Sequence, residues 1–225
     1  MAGAYSHIGV LVVPLAVIAL GTSCSSSSTK NAETSSVATS AASSASAASS
    51  VSAAPAADGA CAKSAYPLLK LGSRSPAEPA LAIPQPPGWE SSTEMNSDII
   101  RGAIASKDLV ADGFAPNAVV TLEDLTGKVA TPQAAIDGER ASVTAEPESQ
   151  TPGSLCGHPS LTITYNSPAT ETAAATAVTT LIVASEEGGK IYAATVSVQT
   201  ADPSNTTYIN DKQAILDGFQ FGAPA

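Results

Sequence analysis

Residues 177–201 read AVTTLIVASEEGGKIYAATVSVQTA, and no other stretch limits the fold as tightly. Two strand-like arms meet at Glu187-Gly188-Gly189, where the paired glycines supply the positive φ that a tight hairpin needs. In the second arm Tyr192, Ala194, Val196 and Val198 alternate with Ala193, Thr195, Ser197 and Gln199. A period of two places these sets on opposite faces of a sheet.

The segments around the hairpin extend the pattern. In SLTITYNS, Leu161, Ile163 and Tyr165 share one face and Thr162 and Thr164 the other, a strand with one dry face. Asn117 to Gly127, NAVVTLEDLTG, reads as a strand stopped by Gly127. Ser97 to Ser106 fits a strand or a short helix equally well, and Ala80 to Ile83 is a short apolar run halted by PQPPGW. That Pro/Gly cluster makes a rigid turn around Trp89, the single tryptophan, whose expected place is a buried anchor.

Two helices are expected. Thr131-Pro132 supplies an N-cap and a first-turn proline ahead of QAAIDGERASV. Asp202-Pro203 resembles a second cap, with Ile209, Ala214, Ile215 and Phe219 at near-helical spacing and Gly218 as the stop. Few strands are separated by helices of crossover length, so the sheet should be mainly antiparallel and the class α+β.

The N-terminal quarter is of another kind. Ile8 to Leu20 is thirteen uncharged residues, too short for the roughly 20 that span a bilayer but the length of a secretory h-region. Residues 1–23 are accordingly assigned to a signal peptide, although MAGAYSH ahead of the run carries no Lys or Arg. The run ends in LGTSC, which resembles a bacterial lipobox, where cleavage precedes a cysteine that receives diacylglycerol. Ser23 and Thr22 suit the pattern, while Gly21 stands where leucine is preferred. Cys24 is thereby the expected lipidation site, the alternative being an unpaired thiol in an ordinary secreted chain.

Cysteine arithmetic points the same way. The sequence holds Cys24, Cys61 and Cys156, an odd number for an exported protein. Acylation of Cys24 leaves Cys61 and Cys156 to form a disulfide in an oxidising compartment, with two buried thiols as the rival. No CxxC occurs, and His158 is the only histidine after Cys24, so no zinc site is expected.

Residues 24–60 follow as a tether. Ser25 to Ala60 is almost wholly Ser, Ala and Thr, too poor in large apolar groups to build a core. As a flexible coil it would span roughly 33 Å on average and at most about 120 Å. Residues 61–225 remain for one domain. Of the net charge of −10, the tether's Lys30, Glu33 and Asp58 account for −1, which leaves the domain near −9. An acidic body argues against nucleic acid and against charge-driven adhesion to anionic headgroups. Contact with a membrane must then come from acyl chains, at about 0.8 kcal/mol per buried methylene.

Five segments carry a family resemblance: IPQPPGWE, FAPNAVVTLEDLTG, LCGHPSLTITY, YAATVSVQTADP and AILDGFQF. From about Ala80 to Phe221 the chain resembles the LpqN/LpqT family of mycobacterial and related actinobacterial lipoproteins. The resemblance implies a compact domain similar to the Mog1/PsbP fold, an antiparallel sheet flanked by helices. It also implies a lipid-anchored envelope protein or a secreted one, in a family linked to envelope lipids and protein contacts rather than to an enzymatic activity.

No catalytic constellation stands beside it. The sequence has no GxSxG elbow, P-loop or GxGxxG. His158 in CGHPS reads as a structural hydrogen-bonder, and the pairs Glu123-Asp124 and Glu186-Glu187 as solvated surface. No cofactor is implied. Aromatic residues make up only 4% and the apolar sheet positions are often Ala or Val, so a light core leaving a groove is one expectation. Three functions compete: an anchored module that binds an envelope lipid or docks on a membrane protein complex; a secreted or surface antigen acting by protein contact; and an enzyme with an unrecognised site. A deep apolar groove would favour the first and a flat exposed patch the second.

Overall fold

The computed structural model describes residues 60–92, 97–171 and 173–224. Along the chain run β1 (Leu68–Lys70), β2 (Pro79–Pro84), β3 (Trp89–Ser92), β4 (Ile100–Ser106) and β5 (Asn117–Asp124). Helix α1 (Pro132–Ser142) comes next, then β6 (Pro147–Leu155), β7 (His158–Ser167), β8 (Thr176–Glu187) and β9 (Lys190–Thr200). Helix α2 (Thr206–Asp217) and β10 (Gln220–Pro224) complete the described chain.

Seven strands form one sheet in the order β3-β4-β5-β9-β8-β7-β6, and β1-β2-β10 form a smaller one. Every pairing between these strands is antiparallel. The β8–β9 hairpin is in register from Ala177 opposite Thr200 to Glu187 opposite Lys190, closed by Gly188 and Gly189 at φ 57° and 77°. It forms the middle of the large sheet.

The alternation in β9 separates two cores. Tyr192, Ala194, Val196 and Val198 join Ile104, Val120, Leu122, Leu181 and Val183 under the small sheet and α2, which contribute Ile83, Phe221, Tyr208 and Ile215. On the other face Ile191 and Ala193 join Leu161, Ile163, Ile182 and Ala184 beneath Ala135 and Ile136 of α1. The result is an α+β fold with the large sheet between α1 on one side and α2 with the small sheet on the other.

Both helices begin on capping side chains. The Thr131 hydroxyl accepts from the Ala134 amide at 3.1 Å, with Pro132 in the first turn, as the sequence predicts. The cap of α2 differs from expectation. Asn205, not Asp202, accepts from the Tyr208 amide at 3.1 Å, while Asp202 closes its own turn on the Ser204 amide and hydroxyl. Ile209, placed by its spacing toward the core, is 42% exposed, and the buried face of α2 is Tyr208, Asp211, Ile215 and Leu216. Gly218 does end α2, but at φ −95°, so no left-handed turn requires it. A Cβ there would lie 2.8 Å from Pro84 Cγ and 2.9 Å from the Ala214 carbonyl oxygen; glycine serves the close approach of β2.

Candidate functional site

Cys24 lies outside the described residues. Cys61 and Cys156 are joined by a disulfide across a sequence separation of 95. Cys156 and Gly157, at φ 51° and 81°, are the two central residues between β6 and β7, the positive pair of a type I′ turn. The bridge rests on the last strand. Cys156 Sγ accepts from the Phe221 amide at 3.5 Å, and Cys61 Sγ lies 3.9 Å from the Phe221 carbonyl oxygen. One covalent link thus gathers the start, the middle and the end of the folded region.

His158 opens β7 just after this turn and sets its ring edge-on to Phe221, the centroids 5.4 Å apart. That is a packing role. Trp89 is 2% exposed and donates its indole N–H to Asp211 Oδ2 at 2.8 Å, so the tryptophan is the buried anchor expected of it. The buried Asp211 that receives it carried no signal in the sequence beyond its helical offset.

The carboxylates sort differently from their order in the chain. Asp124 turns away from Glu123, as neighbours on a strand must, and accepts from the Thr126 amide at 3.0 Å beside Lys190 at 3.7 Å. Hydrogen bonds from Thr126, with help from Lys190, hold its carboxyl below the usual range. Glu123 stands opposite Ala193 in the register, hence on the face that carries α1. There it meets the field of Glu139, three residues after Ile136 on the inward side of α1. Burial, reinforced by the charge of Glu123, pushes the Glu139 carboxyl up to about 7. This pairing joins two elements and was invisible to a search for adjacent acids.

The anticipated groove beneath α1 is closed. Ala135, Ala184 and Ala193 are 0%, 0% and 2% exposed, and these small side chains let the helix approach the sheet instead of leaving space below it. A cavity of about 140 Å³ opens at the C-terminal end of α1, lined by Arg140, Val143, Ala145, Pro147, Gln150 and Ile163. Pockets that engulf drug-sized ligands run to about 300–1,000 Å³, so this one is too small for an acyl chain. Farther along the same face, past the helix, Asn117, Val119, Thr121, Thr195 and Ser197 are partly exposed. This uncharged floor is held by hydrogen bonds from Gln199 to Asn117 at 3.1 Å and between Thr180 and Ser197 at 3.0 Å.

Among the described residues, no group of three or more His, Cys, Asp or Glu is gathered as a metal would require. None of the described helices is long and apolar enough to cross a membrane.

An antiparallel sheet with a helix on either face, locked by a single disulfide, defines the class of small α+β domain to which comparison can be made. The family described as probable lipoprotein LpqN matches residues 70–221, and the chain belongs to that family. The crystal structure of LpqN from Mycobacterium tuberculosis, described as involved in cell envelope biogenesis, is similar with a TM-score of 0.56 and 16% identity. That match covers 69% of this chain and 91% of LpqN, and it shows a shared fold. Cyanobacterial PsbP from Synechocystis sp. PCC 6803 gives 0.43 at 13% identity, over 68% of this chain and 92% of its own. The Saccharomyces cerevisiae Ran-binding protein Mog1p gives 0.40 at 11% identity, over 69% and 96%. No curated protein matches the chain.

Proposed function

We propose that this is a lipid-anchored lipoprotein of the cell envelope whose folded domain is a non-enzymatic binding or accessory module. In this reading residues 1–23 are the signal peptide, Cys24 carries the acyl chains, residues 24–60 are the tether and residues 61–225 the domain. The protein is held at the extracytoplasmic face of the cell membrane, with a shed or secreted fraction as the alternative. Family membership over residues 70–221, joined to the LGTSC step at residues 20–24, is the observation that carries the proposal.

The α1 side of the domain favours docking of a protein, such as a member of a membrane complex, over storage of an envelope lipid there. Alanines bring α1 onto the sheet, and the opening at its end has room for a side chain, not for a fatty acyl tail. Intact mass of the full-length protein from an actinobacterial membrane, native and then denatured, tests both halves. A diacylglycerol increment that disappears in Cys24→Ser supports the anchor, and a polypeptide passenger in the native spectrum supports docking. A lipid passenger overturns the preference for protein. An unacylated chain without a passenger overturns the anchor and leaves a secreted contact protein.

A further inference from the structure

Strand β6 is an outer strand of the large sheet, and among the described residues one of its edges has no strand beside it. The turn at Cys156-Gly157 fixes which backbone groups lie on that edge. Leu155 and His158 flank a two-residue loop and exchange both hydrogen bonds. Alternation then turns Gly153 and Thr151 inward to β7, and Ser154, Pro152 and Gln150 outward. Pro152 has no N–H, which guards the edge against wholesale pairing with another copy. Gln150 and Ser154 still offer a donor and an acceptor each.

The cavity at the end of α1 lies beside this edge. Gln150 pairs with Ile163, and both line it, so a residue laid opposite Gln150 on an added strand would share their face. The volume, about 140 Å³, equals four to five waters at roughly 30 Å³ each, room for one aliphatic side chain. At the rim stands Arg140. Its Nε donates to Gln150 Oε1 at 2.5 Å, and among the described residues it takes part in no ion pair. A guanidinium with open donors, in a small cavity of mixed polar and apolar lining that includes Val143 and Ile163, complements a carboxylate attached to a small apolar side chain.

The geometry points to the α1–β6 cleft as a site for the free C-terminus of a partner polypeptide. The segment adds to β6 as an extended strand, its last side chain enters the cavity and its carboxylate meets Arg140. Strand addition supplies affinity through the backbone, and the cavity and guanidinium supply selectivity. This deepens the reading of the domain as a docking module and names the chemistry of what docks.

The test is an NMR titration of the full-length, isotopically labelled protein with hexapeptides of alternating threonine and valine. Each ends in Ala, Val, Ile, Leu, Met or Phe, as the free acid and as the amide, with 4-methylpentanoate as a small-carboxylate probe. At least one free acid should shift the Gln150 and Ser154 amides together with the Arg140 Nε–H. Its amide, and the acid on an Arg140→Gln variant, should bind about tenfold more weakly or worse. Arg140 is exposed, so this variant should keep the wild-type spectrum elsewhere. The proposal is overturned if no acid shifts these resonances, if acid and amide bind alike, or if the shifts map to another face. It is also overturned if 4-methylpentanoate reproduces the whole pattern, since the cleft would then be a small-molecule subsite. A polypeptide passenger in the native mass spectrum, with no response here, would refute this cleft while leaving the docking module intact.

Discussion

The indole N–H of Trp89 donates to Asp211 at 2.8 Å across a sequence separation of 122, tying the first residue of β3 to the middle of α2. Both residues are at least 95% buried, so neither partner has water to fall back on. Asp211→Ala should therefore destabilise the domain by about 2–3 kcal/mol, because it strands a buried donor. Asp211→Asn keeps an acceptor and should cost less. Urea unfolding followed by Trp89 fluorescence measures both, and equal costs would refute the hydrogen bond as the cause.

The Cys61–Cys156 bridge closes a separation of 95 residues. By the loss of chain entropy in the unfolded state, its removal should cost about 4–5 kcal/mol as an upper figure. Cys61→Ser/Cys156→Ser should lower the denaturation midpoint sharply, and reductant should act on the wild type but not on the variant.

Glu139 makes stability depend on pH. Its carboxyl, raised by burial and by Glu123 from 4.5 to about 7, binds a proton more tightly in the folded state. Between those values the folded protein holds more protons than the unfolded chain, so stability falls as pH rises through the window. Glu139→Gln should flatten this slope and raise stability at pH 8 by about 1–3 kcal/mol. Thermal unfolding at pH 5, 6.5 and 8 checks the sign; a variant less stable than wild type at pH 8 would refute it.

Gly218→Ala should destabilise by about 1–3 kcal/mol, because the added methyl would sit 2.8 Å from Pro84 Cγ and 2.9 Å from a backbone oxygen that cannot yield. Pro84→Ala, which removes the first of these contacts, should recover part of the loss. A double-mutant cycle reads that recovery as a coupling.

Much of this architecture is written in local pattern. The β8–β9 hairpin, β5 and the start of α1 follow from alternation, a glycine pair and a Thr-Pro cap, all of which act within a few residues. β6 escapes such a reading because PESQTPGSL is an edge strand exposed on both faces from Glu148 to Ser154, so alternation has nothing to record. Its turn hides as well, since a bridged cysteine stands where asparagine or aspartate would announce a type I′ hairpin. The misplacement of Ile209 has a tertiary cause: α2 is rotated so that Asp211 faces Trp89, and a polar residue takes an inward position that spacing alone grants to an apolar one. The candidate site was least legible of all. Glu123 with Glu139, and Arg140 with Gln150, meet only after α1 has folded back on the sheet.

The disulfide has a mechanical meaning. Tension entering the domain from the chain before residue 60 reaches Cys61 first, and the covalent link hands it to Cys156, on whose sulfur the Phe221 amide rests. The 94 residues between the two cysteines are bypassed, so β1 to β5 and α1 need bear none of that load. If the domain is towed by an N-terminal tether, as proposed, it is gripped at its seam, and the cleft beside β6 lies off the line of pull.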